Sequence, residues 1–370
     1  MSDIARPYRI MISGGGTGGH IYPAISIAQA LRDILSDVKI LFVGAQGRME
    51  MEKVPEAGFE IVGLDITGIQ RSLSVKNLLF PVRLVKSILK SLKLIRDFRP
   101  DVVVGVGGYA SGPLLYAANK KGIPTLIQEQ NSYAGLTNKW LSGKARTICV
   151  AYDQMENYFP AEKLVVTGNP VRGNLVLSKS DLPKAFEYFG LQSGIPTILV
   201  VGGSLGARSV NEAVLKSLNY WNRLGYQVLW QTGGYYFDEM LDRASSQLNA
   251  RVKAMPFIKE MKYAYAIADL VISRAGALSI TELMLVGKAS LLIPSPNVAE
   301  DHQTKNAEAL VRENAGVLLP DTEALEKLAA KAEELISDGQ KRVELGKNIK
   351  KLAHPQAAKE IANEVIKLMA

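Results

Sequence analysis

The chain of 370 residues holds a single cysteine, Cys149, so no disulfide can form within it, and a reducing compartment is the matching expectation. Histidine is almost as scarce, and His20, His302 and His354 stand too far apart in sequence to suggest a metal site by spacing. No apolar run reaches the roughly 18 residues that cross a bilayer, and Met1 to Arg9 lacks the apolar core of a signal peptide. Together these absences place the chain in the cytoplasm.

Acidic residues are missing from one segment in particular. Between Ile69 and Arg99 eight basic residues face the lone Asp97, so this stretch carries +7 of a formal net charge of +8. Nucleic-acid binding is the first thought, but no base-stacking aromatics are interleaved there and no nucleic-acid motif accompanies the charge.

What is present is a repeating alternation of short apolar runs and helical patterns, too long for one core and sized for two domains of roughly 150 residues or a little more. Tyr8 to Ser13 reads as a strand, followed by Gly14-Gly15-Gly16-Thr17-Gly18-Gly19-His20 and a helix expected to start near Tyr22-Pro23, where Pro23 suits a first-turn position. Gly14, Gly16 and Gly19 satisfy G-x-G-x-x-G. The next strand, however, ends in Gly44-Ala45-Gln46, with no acid to hold the ribose of NAD, and the dinucleotide reading is rejected. Further strands are expected at 59–64, 102–106, 125–128, 147–150 and 163–167, with a helix around 82–95. A second glycine turn runs from Gly105 to Gly112. Such a pattern means a parallel sheet covered by helices on both faces, with both glycine turns at one crevice.

After Gly168-Asn169-Pro170-Val171-Arg172 the pattern restarts. Strands are expected at 197–201, 227–230, 252–254, 270–273, 289–293 and 317–319, and Gly202-Gly203-Ser204-Leu205-Gly206-Ala207 follows the first of them. The fold class is therefore α/β: two Rossmann-like, doubly wound parallel-sheet domains facing a cleft. The expected bounds are 1–170 and 171–354, with a C-terminal helix at about 355–370 returning to the first domain.

The chain is organised around Ser273 to Glu282. A buried strand runs through Ser273 into Gly276, and Ala277 opens a helix whose unpaired amides and positive dipole end suit a phosphate. Arg274 is expected to add a fixed cation there. Glu282, about one and a half turns on, stands where a carboxylate reaches ribose hydroxyls. An ordinary strand-to-helix turn with a solvated Arg and Glu is the plain alternative.

Four motifs, in order, resemble glycosyltransferase family 28: Gly14 to Pro23, Gly202 to Ala207, Ser273 to Ala277, and Asp301-His302-Gln303-Thr304-Lys305-Asn306-Ala307. The resemblance runs from Tyr8 to the C-terminus. It implies a GT-B fold and a hexosyltransferase that moves N-acetylglucosamine (GlcNAc) from UDP-GlcNAc to the 4-hydroxyl of the muramyl sugar of lipid I, with inversion, to give lipid II for peptidoglycan. It further implies an N-terminal acceptor and membrane-facing domain and a C-terminal donor domain. Matching donor contacts are Thr17, Gly18, Gly19, Asn131, Arg172, Ser204, Ile258, Ala277, Leu278, Ser279, Ile280, Thr281, Glu282 and Gln303. Thr304-Lys305 departs from relatives that carry aromatics there. Competing readings are another GT-B catalyst, such as a lipid galactosyltransferase or a UDP-GlcNAc 2-epimerase, and a nucleotide-sugar sensor without turnover.

Inverting transfer needs a base, and His20 is the candidate, with a helix-capping or substrate-orienting histidine as the alternatives. The leaving diphosphate is assigned to the helix start at Ala277 with Arg172 and Ser204. Because no Asp-x-Asp motif occurs, no cofactor is expected and a divalent metal is not expected to be obligatory. Arg83, Lys86, Lys90 and Lys93 form one helical stripe, with Val85, Ile88, Leu89, Leu92 and Ile95 expected opposite as the core face. With the apolar Leu78, Leu79 and Phe80 just before it, this stripe is expected to meet the anionic cytoplasmic face of the inner membrane as a peripheral contact. The partners expected are thus UDP-GlcNAc, lipid I and the membrane surface, together with cell-wall and division proteins, and no nucleic acid.

Overall fold

A computed structural model describes residues 6–68, 80–171, 175–203 and 205–369 of the chain. Leu78, Leu79, Arg172 and Ser204 lie outside these described residues. The chain divides into two compact units, Met1–Arg172 with His354–Ala370, and Gly173–Ala353.

In the first unit the elements alternate as β1 (Tyr8–Ser13), α1 (Gly18–Ile34), β2 (Val38–Ala45), α2 (Glu50–Glu56), β3 (Glu60–Leu64), α3 (Phe80–Phe98), β4 (Val102–Gly105), α4 (Ser111–Lys120), β5 (Thr125–Glu129), α5 (Leu136–Ser142), β6 (Thr147–Val150) and β7 (Leu164–Val166). The strands form one parallel sheet in the order β3-β2-β1-β4-β5-β6-β7. All of β4 and β5 is buried, as a parallel strand covered on both faces must be.

The second unit repeats the plan with α6 (Leu182–Phe189), β8 (Thr197–Val201), α7 (Arg208–Arg223), β9 (Gln227–Gln231), α8 (Phe237–Ala244), β10 (Val252–Met255), α9 (Met261–Ile267), β11 (Leu270–Ser273), α10 (Ala277–Val286), β12 (Ser290–Leu292), α11 (His302–Arg312), β13 (Val317–Leu318), α12 (Asp321–Ser337) and α13 (Gly339–Lys351). Its parallel sheet runs β10-β9-β8-β11-β12-β13. Trp221 and Trp230 are fully buried in its core, where each large side chain contributes on the order of 2–3 kcal/mol.

The chain then crosses back. Helix α14 (Ala357–Lys367) packs on α1 and puts Ile361, Ala362 and Val365 into the same core as Ile10, Ile12 and Phe42. His354 lies against Gly168, whose φ of +76° and whose missing Cβ, which would stand 2.3 Å from the His354 Cβ, both require glycine.

Two expectations are corrected. Helix α1 begins at Gly18, so Pro23 is its sixth residue rather than a first-turn proline, and His20 sits inside the first turn. A proline there gives up only the bond to the Gly19 carbonyl. In α3 the buried residues are Ser87, Ser91 and Ile95, with Leu84, Leu92, Leu94 and Phe98 packed beside the core. Val85 and Leu89, expected to face inward, are 56% and 60% exposed. The two serines lie on the helix that packs against α4, and small side chains there let two helices approach closely.

Candidate active site

Both sheets reverse strand order beside their first strand, between β1 and β4 in one unit and between β8 and β11 in the other. Ligands of open parallel sheets bind at the carboxyl ends of the strands at such a point. All the glycine turns singled out in the sequence fall there.

In the second unit, β8 leads to Gly202 and Gly203, and β11 leads to Ser273-Arg274-Ala275-Gly276. Gly206 has φ +78°, and a Cβ on it would stand 2.0 Å from the Thr232 carbonyl oxygen, so the turn closes only with glycine. Gln231, at the end of β9, donates to the Gly203 carbonyl at 3.0 Å and accepts from the Ile258 amide at 2.8 Å. One buried side chain thus ties together two segments expected to touch the nucleotide. Ile258 is fully buried, with its amide held by Gln231.

Helix α10 has Gly276 at its N-cap in extended conformation and no side-chain cap. The amides of Ala277, Leu278 and Ser279 have no intrahelical acceptor, whereas Ile280 already donates to the Gly276 carbonyl at 3.0 Å. Helical periodicity also turns Ile280 and Thr281 inward, and Thr281 Oγ1 donates to the Ala277 carbonyl at 2.8 Å. Of the expected 277–282 contacts, the Ala277, Leu278, Ser279 and Glu282 side chains remain partly exposed. Glu282 Oε2 accepts a hydrogen bond of 2.8 Å from the phenol of Tyr265 on α9. Tyr265 is buried, and burial first, then the Glu282 charge, pushes its pKa well above the ordinary value, so the phenol stays a donor.

Arg274 does not serve as the fixed cation expected beside the helix. Its guanidinium is buried, pairs with Asp321 at 2.5 Å, and donates to the carbonyls of Ile293 and Pro294 and to Ser209. Its charge is spent holding β11 to α7 and α12. Asp321 lies 47 residues away in sequence, so nothing local announces the pair.

Gln303, the second residue of α11, accepts from the Ser295 amide through Oε1 at 2.9 Å. His302 opens the same helix and is half-buried. Just before it, Glu300 and Asp301 both hold φ +53°, a conformation that costs on the order of 1–3 kcal/mol each and gathers at functional sites. Asn306, fully buried on α11, donates to the Ala275 carbonyl at 3.3 Å and fixes this helix to the α10 turn.

In the first unit the two glycine turns interlock. Gly108 has φ +85°, and a Cβ there would stand 2.2 Å from the Gly15 carbonyl oxygen. A Cβ on Gly107 would lie 2.8 Å from His20 Cδ2 and 3.0 Å from Nε2, so the imidazole rests on a bare glycine backbone. His20 Nδ1 is 3.3 Å from Thr17 Oγ1. Gly18 and Gly19 form the head of α1, with Thr17 extended at its N-cap.

Sequence reading missed Glu50. Its carboxylate is fully buried under the first glycine turn, accepting from the Gly16 amide at 3.1 Å and the Ala45 amide at 2.9 Å. An amide that a pyrophosphate would need in a dinucleotide site is therefore taken by the protein itself. Asn131 is turned toward Glu129, to which both its backbone amide and Nδ2 donate, at 3.1 and 3.3 Å. Buried Glu129 also accepts from Gly135 and Asn138 and so shapes the whole 131–138 turn.

Away from these turns, Val82, Val85 and Leu89 expose an apolar stripe on α3 beside Lys86, Lys90 and Lys93. Lys90 donates to the Gly63 carbonyl at 2.6 Å and Arg83 to Thr67 Oγ1 at 3.4 Å, while Lys86 and Lys93 are exposed. Helix α4 packs against both α3 and α5, and α5 exposes Leu136 and Trp140, the latter stacked on Tyr116 at 5.6 Å. Sequence reasoning missed these two because α5 is only seven residues long. Among the described residues no helix is long and apolar enough to cross a membrane, and no three His, Cys, Asp or Glu side chains are grouped to hold a metal ion.

Comparison with known proteins covers both units. Residues 10–150 match the glycosyltransferase family 28 N-terminal domain and residues 197–361 the family 28 C-terminal domain. A relative from Cytophaga hutchinsonii is 53% identical over 98% of this chain and 98% of its own length. It is described as a UDP-N-acetylglucosamine--N-acetylmuramyl-(pentapeptide) pyrophosphoryl-undecaprenol N-acetylglucosamine transferase. A relative from Parabacteroides distasonis with the same description is 52% identical, covering 98% of this chain and 99% of its own. Among solved structures, the crystal structure of Acinetobacter baumannii MurG is similar at a TM-score of 0.77 and 29% identity, covering 98% of this chain and all of that one.

Proposed function

The chain belongs to glycosyltransferase family 28, and on that premise we propose how its two glycine-lined switch points carry out transfer of GlcNAc from UDP-GlcNAc to lipid I. The transfer itself, which forms lipid II, is the activity of an N-acetylglucosaminyltransferase. What carries it is identity of about half the residues over nearly the full length of relatives named for that reaction.

The donor is assigned to the second unit. The amides at the head of α10 receive the diphosphate, whose charge grows as the sugar departs, and they are already oriented before the reaction. Glu282, held by Tyr265, accepts from ribose hydroxyls, and Gln303 Nε2 meets the sugar. Ser204 and Arg172 are assigned to the same diphosphate on the family likeness.

His20 is assigned as the base that takes the acceptor hydroxyl proton. When Nδ1–H donates to Thr17 Oγ1, the basic lone pair of the ring is on Nε2, the atom that rests on Gly107. Displacement then proceeds in one step with inversion: the acceptor oxygen bonds to the sugar carbon, the bond to the diphosphate oxygen breaks, and the proton ends on the imidazole. Turnover is expected without a divalent metal. UDP release from UDP-GlcNAc should require a short-chain lipid I analogue and persist in excess EDTA. Release without acceptor would move the chain toward an epimerase or hydrolase, and complete loss in EDTA would overturn metal independence.

Membrane contact is assigned to α3 and α5. Val82, Val85, Leu89, Leu136 and Trp140 supply exposed apolar area, and the nearby cations contribute about 1 kcal/mol each toward anionic lipid. A peripheral position on the cytoplasmic face of the cell membrane follows, where a lipid-linked acceptor is presented. The charge-reversed pair Lys86→Glu and Lys93→Glu should weaken sedimentation with phosphatidylglycerol vesicles by tenfold or more, and unchanged sedimentation would remove this assignment.

A further inference from the structure

We propose that Tyr265 is a specificity-determining positioning residue, whose phenol holds the Glu282 carboxylate in the orientation that reads a ribose hydroxyl. This rests on the assignment of Glu282 as the ribose ligand. The two residues stand on different helices, Tyr265 on α9 and Glu282 on α10, and β11 runs between them in the chain. A glutamate on a helix surface ordinarily samples several rotamers, and each must be given up when a ligand binds. The 2.8 Å bond from the Tyr265 hydroxyl to Oε2 fixes one oxygen from the core side and so fixes the plane of the carboxylate. The ring is 3% exposed, and burial keeps its hydroxyl protonated, so it remains a donor.

Packing alone does not account for a tyrosine at this position. The ring borders a cavity of about 210 Å³ that is also lined by Leu175, Leu182, Val286 and Lys288. Phenylalanine would fill the same wall, yet the chain places a hydroxyl there and aims it at the one carboxylate on α10. An orienting donor would tell a ribose from a deoxyribose, because a site built to bond a hydroxyl rejects an analogue that lacks it far more strongly than an apolar site would.

The test compares binding of UDP, 2′-deoxy-UDP and 3′-deoxy-UDP by calorimetry to the full chain and to Tyr265→Phe, Glu282→Ala and the double variant. The unaltered protein should prefer UDP over one deoxy analogue on the order of ten- to a hundredfold. Glu282→Ala should abolish that preference. Tyr265→Phe should cut it about three- to tenfold with little effect on the deoxy analogue, and it should add nothing in the Glu282→Ala background. If Glu282→Ala removes the preference and Tyr265→Phe leaves it intact, the inference is overturned while the ribose assignment stands. If Glu282→Ala retains the preference, the ribose assignment itself fails. Equal weakening of UDP and both analogues by Tyr265→Phe would mark a purely structural tyrosine. Melting temperatures of the variants separate these outcomes from misfolding.

Discussion

The two units share one sheet plan, yet the protein braces their switch points with opposite charges. Under the β1 turn lies a buried anion, Glu50, bonded only to backbone amides among its described partners. Under the β11 turn lies a buried cation, Arg274, neutralised by Asp321. In the first unit the brace consumes a loop amide, and what the turn offers is a side chain, His20. In the second unit the brace turns away toward α7 and α12, and the head of α10 keeps its amides for a ligand. On the assignments proposed above, one topology gives a turn for proton transfer and another for a diphosphate, and the difference lies in where the supporting charge places its hydrogen bonds.

The largest stability effect should come from breaking the second brace. Arg274→Met leaves the half-buried Asp321 carboxylate without its cation and with the Ser209 hydroxyl as its remaining donor, and about 3 kcal/mol of unfolding free energy should be lost in urea titration. Arg274→Met with Asp321→Leu should recover much of it. An Arg274→Met protein of unchanged stability but greatly weakened UDP affinity would instead return Arg274 to the phosphate. Breaking the first brace should cost less. Glu50→Gln keeps the shape but sets an amide N–H against donors, so about 1–3 kcal/mol should be lost, with kcat falling and UDP affinity unchanged. The smallest effect should be at Cys149. It is buried in the first unit, and burial pushes its thiol pKa far up, so the thiolate is disfavoured throughout the ordinary pH range. The folded protein should resist iodoacetamide at pH 8 and react only when denatured; rapid labelling of the native chain would show that this core opens.

Strands were readable because parallel strands covered on both faces are near-continuous apolar runs, and glycine turns because positive φ and close backbone approach leave few other residues possible. Helix α3 was misread by a simple rule. Ile95 is buried and Leu92 packs on the core as assigned, but two serines share the inner face, and Val85 and Leu89, assigned inward as well, face out. Hydropathy periodicity does not show a seam built from small polar residues. Pro23 misplaced the start of α1 because a proline tolerated inside a helix has the same local sequence as one that opens it. Glu50 and the Arg274–Asp321 pair were invisible for a different reason. Their partners are a backbone amide 34 positions away and a side chain 47 positions away, and such contacts leave no spacing to read.

The division of labour between the two turns is tested most directly by measuring kcat and UDP dissociation constants together for His20→Ala and Glu282→Ala. His20→Ala should lower kcat by 10²–10⁴ with UDP affinity unchanged, as removal of a general base does. Glu282→Ala should weaken UDP binding at least tenfold with a smaller loss of kcat. A fall in kcat of less than tenfold for His20→Ala, or a loss of UDP affinity matching that of Glu282→Ala, would contradict the account.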